Sequence, residues 1–493
     1  MTARVAVVGG GIAGLAAAWE LTGGAAGPHA ASPEVVVLEA GERFGGKLRT
    51  EPFEGEPVDV GPDGFLGRRP EAAELCRELG LEDELVPIGA SGAAVWARGQ
   101  RRALPAGLYM GIPTRFLPVA RSGLLGARGT LRLLADVVLP RANRRPPPGD
   151  LALGPLVGAR LGPEVVARLV DPLVGGIHAG GVEAMSSAAV LPLLLAAASQ
   201  PTGLMRALRQ ASAMPVPSSA RGARGGEGEQ EPAFWALRHG MGSLTDRLVT
   251  GLGRRGVTLR TASPVELVDR RRGPAAPWVL HAPEGPVVAD GMVLAVPAGA
   301  AATLLSPHDE DATRLLLGIE YASVAVVTMA YPTAAWPADL SGTGLLVPAG
   351  SPAPTSRGLD GSFLVTACTY LSTKWPHLAR PDTFLVRASV GRDGDTRPDT
   401  LDDAALVSRV AAELRVLLGV AGSPAASSVT RWPDAFPQYR VHHLLRVAGI
   451  ESAVSRLPAV AVAGSAYRGV GIPACIGGGR AAARTVLEAL GTR

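Results

Sequence analysis

The first forty residues constrain the fold more than any other part of the chain. A short apolar run, Val5–Val8, ends in a cluster of glycines and is followed by a helical pattern from Ile12 to Thr22. A second apolar run, Val35–Leu38, comes after a loop of small residues. Strand, glycine turn, helix and strand in this order are what a parallel βαβ unit requires. The segment therefore predicts an α/β fold built on a parallel sheet.

The turn between the first strand and the helix matches the G-x-G-x-x-G spacing of Rossmann-like dinucleotide-binding units. Its residues are Gly9, Gly10, Gly11, Ile12, Ala13 and Gly14. The first glycine permits a tight turn, the second lets the backbone approach a pyrophosphate, and the last lets the helix pack on the strand. A chain with 63 glycines can match this spacing by chance. The pattern counts here because it stands between a strand and a helix, whose N-terminus attracts phosphate.

An acidic residue, Glu39, closes the second predicted strand. A carboxylate at this place accepts hydrogen bonds from a ribose 2′-hydroxyl and repels a 2′-phosphate, which argues against NADP. Glu39 lies 39 − 14 = 25 positions after Gly14, beyond the usual spacing of about 20. The loop of small residues before the second strand accounts for the excess.

A second glycine-rich segment follows Glu39 and contains Ala40, Arg43, Gly45, Gly46 and Lys47. Paired glycines let the chain pass close to a cofactor, and the two cations can meet its phosphate charge. This order and spacing resemble the glycine-rich segment of the amine-oxidase-like FAD superfamily. The resemblance implies that the cofactor is FAD rather than NAD. It also implies that a further loop lies along the flavin, formed by Gly61, Pro62, Asp63 and Gly64.

The C-terminal region repeats the order of strand, glycine turn and helix, with an apolar strand at 459–463 and a helix at 473–490. Pro473 suits the first helical position, where its missing N–H has no partner to lose. The positive end of this helix would stabilise the anionic reduced flavin ring. The turn residues assigned to the cofactor site are Gly464, Ser465, Val470, Gly471 and Ile472.

Four stretches resemble one known family in order along the chain: Val60–Leu66, Asp171–Gly180, Arg431–Tyr439 and Tyr467–Ile476. The family is that of the FAD-dependent protoporphyrinogen and coproporphyrinogen oxidases, and the resemblance covers essentially the whole sequence. Two positions depart from its pattern, because Gly64 and His178 stand where the family commonly has Ser and Tyr. The chain is thus identified by resemblance as a porphyrinogen oxidase.

The resemblance implies an α/β fold with three domains. They are a discontinuous Rossmann-like FAD-binding domain (1–85, 240–298 and 430–493), a mixed-sheet substrate-binding domain (86–110, 215–239 and 299–429) and an inserted helical domain (111–214). Carried over by position, Val265 in a short strand and Trp432 would also contact FAD, although Trp432 has core packing as its alternative. Arg68 and the neighbouring Arg69 would meet substrate propionates, unless they are solvated surface residues.

The resemblance also places Ile177 and His178 along the substrate pocket. We assign no catalytic acid or base, because the flavin performs the chemistry and the protein orients the macrocycle. His178, His442 and His443 are candidates for such a role, although a lone histidine is more often structural.

The implied reaction is the oxygen-dependent aromatisation of a porphyrinogen, with hydrogen peroxide released. Coproporphyrinogen III carries four propionates, whereas protoporphyrinogen IX carries two propionates and two vinyl groups. Only Lys47 and Lys374 are lysines among the 48 basic residues. This arginine-rich composition is typical of high-GC Gram-positive bacteria, whose branch of the family acts on coproporphyrinogen. We therefore favour coproporphyrinogen III, with protoporphyrinogen IX as the alternative.

Composition excludes several other classes of protein. The net charge of +4 comes from dispersed arginines, which does not predict nucleic-acid binding. The cysteines, Cys76, Cys368 and Cys475, lie far apart and predict neither a zinc site nor disulfides, which fits a cytoplasmic location. The longest apolar stretch, Ala188–Ala198, is shorter than the ~20 residues of a spanning helix. We expect no transmembrane segment and at most peripheral membrane contact.

Rival interpretations are an amine oxidase, a carotenoid-type desaturase and a flavin-binding protein without catalysis. The C-terminal helix begins Pro473-Ala474-Cys475 rather than with the tyrosine of an amine-oxidase aromatic cage. A desaturase should show a longer membrane-facing apolar surface. A transient contact with a ferrochelatase-type enzyme is a hypothesis motivated by the reactive product. The sequence leaves the oligomeric state open, and the low-complexity stretch 215–232 is predicted to be a loop.

Overall fold

The computed structural model describes residues 2–29, 32–138, 149–213, 232–270, 276–355, 359 and 361–491. The chain forms two compact units. Unit 1 comprises Met1–Pro87, Arg221–Glu320 and Leu444–Arg493, and unit 2 comprises Ile88–Ala220 and Tyr321–His443. The predicted division into three domains stays a prediction. The low-complexity loop predicted at 215–232 lies, apart from Pro232, outside the described residues.

The described strands are numbered in chain order. They are β1 (Arg4–Val8), β2 (Glu34–Leu38), β3 (Thr50–Phe53), β4 (Glu56–Asp59), β5 (Phe65–Leu66), β6 (Leu85–Pro87), β7 (Ala94–Ala97), β8 (Gln100–Ala103), β9 (Leu108–Tyr109), β10 (Ile112–Pro113), β11 (Phe234–Leu237), β12 (Thr258–Arg260), β13 (Leu267–Arg270), β14 (Trp278–His281), β15 (Val287–Ala289), β16 (Gly291–Leu294), β17 (Tyr321–Pro332), β18 (Gly344–Leu346), β19 (Val365–Tyr370), β20 (Thr383–Val390), β21 (Ala426–Pro437) and β22 (Val460–Val462).

The described α-helices are numbered in the same way. They are α1 (Ile12–Leu21), α2 (Pro70–Glu78), α3 (Phe116–Arg121), α4 (Ala127–Val138), α5 (Leu153–Leu161), α6 (Pro163–Val165), α7 (Gly176–His178), α8 (Ser187–Val190), α9 (Pro192–Ala198), α10 (Leu204–Ala213), α11 (Gly242–Arg254), α12 (Ala298–Leu305), α13 (Glu310–Leu317), α14 (Leu371–Lys374), α15 (Asp403–Leu418), α16 (His443–Val454) and α17 (Ile472–Leu490). A π-helix, Val166–Gly175, joins α6 to α7.

Unit 1 is built on a five-stranded sheet in the order β12-β2-β1-β16-β22, and all of its pairings are parallel. The predicted βαβ unit is confirmed, with β1 and β2 adjacent and α1 between them in sequence. The chain leaves β1 on one side to form β2 and returns on the other side to form β16. Ligands of open α/β sheets bind outside the carboxyl ends of the strands at such a switch point.

Small residues let two helices of unit 1 pack closely on each other. A Cβ atom at Gly479 of α17 would overlap the carbonyl oxygen of Ala13 in α1. The core beneath them contains apolar residues of β1, β2, β16 and β22, such as Val7, Val37 and Val293. Because β1 and β22 are parallel, α1 and α17 both start at the carboxyl edge of the sheet.

Unit 2 is built on a seven-stranded mixed sheet in the order β21-β17-β20-β19-β18-β7-β8. Its pairings are antiparallel except that of β18 with β7, which is parallel. The apolar core on one face of the sheet includes Leu406, Val410 and Leu414 of α15. A second core of unit 2 joins the helices between residues 116 and 213. The mixed sheet that was predicted for this part of the chain is therefore confirmed.

The segment 110–214 is mainly helical in its described part, as predicted, with two local differences. Residues Ile112–Pro113 form a short strand with β9. The helix through Pro172 is π-helical, because a proline inside a helix cannot donate its backbone hydrogen bond. The apolar stretch Ala188–Ala198 lies across the short helices α8 and α9. Within the part of the chain that the structure describes, no helix is long and apolar enough to span a membrane.

Candidate functional site

The turn after β1 has the geometry that a bound dinucleotide needs. Gly9 has a φ angle of 101°, in the left-handed region, and a Cβ there would lie 2.5 Å from the carbonyl oxygen of Ala295. A Cβ at Gly14 would overlap the carbonyl oxygen of Gly9, so the start of α1 packs directly on the turn. At Gly11, which caps α1, a Cβ would meet nothing nearer than 3.9 Å. The helix N-terminus therefore has room for a ligand beside its free N–H groups.

Glu39 follows β2 and its carboxylate spans two loops. It accepts hydrogen bonds from the backbone N–H of Gly10 (2.6 Å) and of Gly41 (2.8 Å). An ionised carboxylate has about four lone-pair sites, so it retains capacity for further donors. The side chain is half-buried beside the turn that caps α1. Glu39 thus lies where an acceptor for ribose hydroxyls was predicted.

The second glycine-rich segment lies directly against the first. Gly45 forms a parallel bridge with Gly11, and its N–H donates to the carbonyl of Gly10 at 2.8 Å. The guanidinium of Arg43 donates to the carbonyls of Phe44 (3.0 Å), Gly46 (2.5 Å) and Leu48 (3.2 Å). Arg43 therefore braces the loop, and its predicted contact with phosphate stays a prediction.

Lys47 and Cys475 interact electrostatically at the start of α17. Burial lowers the pKa of the Lys47 ammonium, whereas the Cys475 thiolate would raise it. Burial also raises the pKa of the Cys475 thiol to about 11, against the opposing effect of Lys47. The thiolate is the nucleophilic form of cysteine, and it is scarce at neutral pH with such a pKa. The structure thus gives Cys475 little reactivity for covalent attachment of a flavin.

The predicted flavin loop, Gly61–Gly64, runs without regular structure from β4 to β5. Its start is held by Asp59, whose carboxylate accepts from the Thr50 hydroxyl (2.6 Å) and from the N–H of Met241 (2.8 Å). Its end is held by Phe65, which pairs with Trp235 of β11. The loop is therefore anchored at both ends, while Pro62 is exposed.

Val265 does not lie in a strand, contrary to the prediction. It lies in the half-buried connection between β12 and β13. This connection is tied to the Glu39 loop, because Ser263 N–H donates to the Glu39 carbonyl (2.9 Å) and Ala262 N–H to the Gly41 carbonyl (2.7 Å). The irregular backbone follows from these bonds, which satisfy the Glu39 loop instead of a sheet ladder.

The C-terminal turn leads into α17, which begins at Ile472 with Gly471 as its N-cap. Pro473 is consequently the second helical residue rather than the first. The change is without cost, since the first four N–H groups of a helix have no partner within the helix. Gly464, Ser465 and Val470 lie in the turn between β22 and α17.

Three residues that pack against the glycine turn after β1 were not predicted from the sequence. Ala295 and Val296 follow β16 and contact Gly9, and the Ala295 side chain also faces Gly14. The aromatic ring of Phe44 packs where a side chain at Gly10 would stand. The apolar run of β16, followed by Pro297, could have predicted the end of a strand from the sequence. The sequence does not show that this strand lies next to β1 in the sheet.

In unit 2, the predicted substrate residues lie at the end of the π-helix. Ile177 is 44% exposed, whereas His178 is 8% exposed. The carbonyl of His178 accepts a hydrogen bond from the amide of Gln438 at 3.0 Å. Its ring lies 5.8 Å from that of Tyr439, which stacks on the ring of His443 at 3.9 Å. The resemblance motifs around residues 178 and 438 are therefore in contact.

Burial lowers the pKa of His178 to about 4, and the nearby His443 lowers it further in the same direction. The imidazole is therefore neutral at neutral pH. Within the described part of the chain, its buried Nδ1 finds no hydrogen-bond partner. A neutral, buried imidazole suits an apolar wall better than an anion site.

Two ion pairs hold this segment in place. Arg392, just past β20, donates to both carboxylate oxygens of Asp171 (3.1 and 3.2 Å) and to the carbonyl of Gly180 (3.0 Å). Arg440 donates to Asp393 at 2.8 Å, and Asp393 N–H donates to the carbonyl of Ala179 at 2.7 Å. His178 is thus positioned by residues that are far away in sequence.

The remaining candidates are spread over the two units. Trp432 is half-buried on β21 in unit 2. Arg68 is exposed in unit 1, where the adjacent Arg69 pairs with Glu71 at 2.6 Å. His442 is in unit 2, and its N–H donates to Asp150 at 2.7 Å. Among the described residues, no group of acidic, histidine or cysteine side chains is arranged to hold a metal ion.

Comparison with known proteins agrees with the fold. The family model of flavin containing amine oxidoreductases matches residues 12–487. Coproporphyrinogen III oxidase of Propionibacterium freudenreichii is 35% identical over 99% of this chain and 91% of that protein. Coproporphyrinogen III oxidase of Bacillus subtilis is 31% identical over 99% of this chain and 98% of that protein.

A solved structure is also similar to this chain along its whole length. A protein described as a protoporphyrinogen oxidase, from Exiguobacterium sp. 255-15, superimposes with a TM-score of 0.84 at 29% identity, covering 99% of each chain. The chain is therefore a flavin-dependent oxidoreductase, and it belongs to the family of flavin containing amine oxidoreductases. The relatives that match it along its whole length include these coproporphyrinogen III oxidases and the protoporphyrinogen oxidase of Macaca fascicularis, which is 30% identical over 99% of each chain.

Proposed function

We propose that this protein oxidises coproporphyrinogen III to coproporphyrin III, with FAD as its cofactor, oxygen as the final electron acceptor and hydrogen peroxide as the second product. The observation that carries this proposal is the match over 99% of the chain to a coproporphyrinogen III oxidase that is 35% identical. The reaction belongs to heme biosynthesis.

FAD fits the residues of unit 1. The open space at Gly11 and the free N–H groups at the start of α1 suit a pyrophosphate, and Glu39 supplies acceptors for ribose hydroxyls. Bound at these residues, FAD would supply the hydride-accepting and oxygen-reducing chemistry of the reaction. The N-terminus of α17 lies at the same sheet edge and provides a positive dipole for negative charge.

The cofactor contacts from loops are proposals of the same kind. Gly61–Gly64 offers an anchored backbone without side chains at either end of the loop. Lys47 supplies positive charge near the start of α17. Ala40 and Val265 complete the proposed set in unit 1, with Val265 supported by the bonds that tie its connection to the Glu39 loop. The contact of Trp432 with FAD stays a prediction.

The substrate is proposed to bind against unit 2 at Ile177 and His178. An exposed isoleucine and a neutral, buried imidazole present a surface of low polarity, which suits the face of a macrocycle. The protein's part in the reaction is to orient the macrocycle and exclude water from it, so no acid or base is assigned. Arg68 is exposed and remains a candidate for a propionate.

The first experiment is anaerobic mixing of the purified yellow protein with coproporphyrinogen III and, separately, with protoporphyrinogen IX. We expect bleaching of flavin absorbance, followed by porphyrin fluorescence and peroxide when air is admitted, with a larger rate constant for the tetra-propionate. Bleaching by an amine but by neither porphyrinogen would contradict the proposal and leave the flavoprotein fold intact.

Protoporphyrinogen IX is the second candidate substrate, and the structural similarity to the Exiguobacterium protein described as a protoporphyrinogen oxidase favours it. A larger rate constant with protoporphyrinogen IX would select it. A cytoplasmic location and a transient contact with a ferrochelatase-type enzyme stay predictions. Sedimentation of the two proteins together would test the contact.

A further inference from the structure

The large sheet of unit 2 has two different faces. Side chains alternate between the faces of a strand. Val327 and Met329 of β17 and Val386 and Ala388 of β20 belong to the apolar core that includes α15. Arg431 of β21 points to the same side, since it bonds Asp403 of α15 at 2.8 and 3.0 Å. The residues between them therefore face the other side.

A polar row crosses that other face. The strand pairings place Thr328 of β17 opposite both Ser428 of β21 and Arg387 of β20, and Arg387 opposite Thr369 of β19. Arg387 is 9% exposed and Thr328 is 2% exposed. A guanidinium is thus held in a buried position between hydroxyl groups, in the middle of the sheet.

Polar residues continue along this face toward the ends of β20 and β21. Beyond Arg387 the next row contains Ser389, and further along β21 the face carries Thr430 and Trp432. The ends of β20 and β21 then lead to Arg392 and Tyr439, which hold the segment of His178. At a rise of about 3.3 Å per residue, Arg387 lies roughly 10 Å before the end of its strand at Val390.

A guanidinium in such a place is suited to a carboxylate. Its planar fork makes two parallel hydrogen bonds to a carboxylate, and exclusion of water strengthens them. The hydroxyl groups of Thr328 and Thr369, which lie opposite Arg387 on the two adjacent strands, can donate as well. Ile177 and His178 at the end of the sheet offer a surface of low polarity, while Arg387 offers charge on the same sheet.

We propose that Arg387 binds one propionate of the porphyrinogen and thereby fixes the orientation of the macrocycle on unit 2. This inference rests on the proposed function, because it takes a substrate with propionates as given. Arg387 is therefore a residue that determines substrate specificity, because it recognises a propionate carboxylate and not the macrocycle itself.

The test uses the flavin-loaded protein and three variants, Arg387→Gln, Arg387→Lys and the control Arg431→Gln on the opposite face. Anaerobic stopped-flow bleaching of the flavin gives the Kd and the limiting reduction rate for coproporphyrinogen III and for its tetramethyl ester. We expect Arg387→Gln to raise the Kd of the free acid about 10- to 100-fold. The Kd of the ester should stay within about twofold, because the lost hydrogen bonds are charge-assisted.

Arg387→Lys should fall between wild type and Arg387→Gln, because lysine keeps the charge without the fork. Arg431→Gln should leave both Kd values unchanged. Binding of coproporphyrin III, followed by fluorescence quenching, should give the same order of variants without turnover. If Arg387→Gln does not fold, Arg387→Lys carries the same comparison of acid with ester.

Equal changes of Kd for acid and ester in the Arg387 variants, or no change in either, would show that Arg387 is structural and would overturn the inference. A wild-type flavin that coproporphyrinogen III fails to bleach would instead overturn the proposed function, and the inference with it.

Discussion

The glycine turns of unit 1 and the His178 segment of unit 2 are positioned in different ways. In unit 1, Gly9, Gly11 and Gly14 work through backbone geometry within one short stretch. In unit 2, His178 depends on Arg392 and Gln438, which lie more than 200 positions away in sequence. The backbone turn proposed to bind the cofactor is therefore set mainly by one short stretch, whereas the segment proposed to bind the substrate is held by residues from distant strands. Substitutions in the two units should therefore differ in their effects on stability and on ligand binding.

Asp171→Asn should destabilise the protein more than any other substitution considered below. It removes the charge that Arg392 binds through two hydrogen bonds. Breaking a mostly buried ion pair costs about 3 to 5 kcal/mol, and the lower end applies because both side chains keep some exposure. Thermal unfolding should show the loss, together with a raised Kd for porphyrinogen. A Kd and Tm equal to those of wild type would show that the His178 segment does not depend on distant pairs.

The second effect is a loss of stability at acid pH, caused by the buried His178 of unit 2. The folded pKa of His178 is about 4, below its ordinary value of 6.5. The unfolded chain therefore binds a proton below about pH 6.5 that the folded chain refuses until about pH 4. Stability is complete above pH 6.5 and falls as the pH drops to 4, by roughly 3 kcal/mol. His178→Tyr should lose less stability over this window in urea unfolding, and parallel curves would count against the assignment.

Adjacent glycines in α17 offer a matched pair in unit 1. A Cβ at Gly479 would overlap the Ala13 carbonyl, whereas a Cβ at Gly478 meets nothing within 4 Å. Gly479→Ala should cost about 1 to 3 kcal/mol by overpacking and lower the flavin content of the purified protein. Gly478→Ala should stabilise the protein by about 0.5 to 1 kcal/mol, as usual for glycine inside a helix. Equal Tm values for the two variants would contradict the close packing of α17 on α1 at Gly479.

The smallest effect is expected at Glu39. Glu39→Gln keeps the shape of the side chain but replaces one acceptor oxygen with an amide that cannot accept from Gly10 or Gly41. A hydrogen bond from an FAD ribose hydroxyl to this half-buried carboxylate should contribute about 1.5 kcal/mol, the lower end for a charged acceptor, so the Kd of FAD should rise about tenfold. Titration of the apoprotein with FAD measures this change. Glu42→Gln, an exposed neighbour, serves as the control and should not alter the Kd.

The features that depend on local backbone chemistry could be predicted from the amino-acid sequence. The order of β1, the glycine turn, α1 and β2 could be recognised because apolar periodicity and positive φ angles impose residue types over a few positions. The start of α17 was predicted within one residue for the same reason. The motif around His178 could be found only through its resemblance to a family.

The contacts between residues that are distant in sequence could not be predicted, because they depend on how the strands pair and pack. Val265 was placed in a strand by pattern, yet Ser263 and Ala262 bond the Glu39 loop and keep the connection irregular. The row of Ser428, Thr328, Arg387 and Thr369 is invisible in sequence, because strand pairing and register set it. Register follows from which face of each strand is buried, and that depends on the whole core rather than on neighbouring residues.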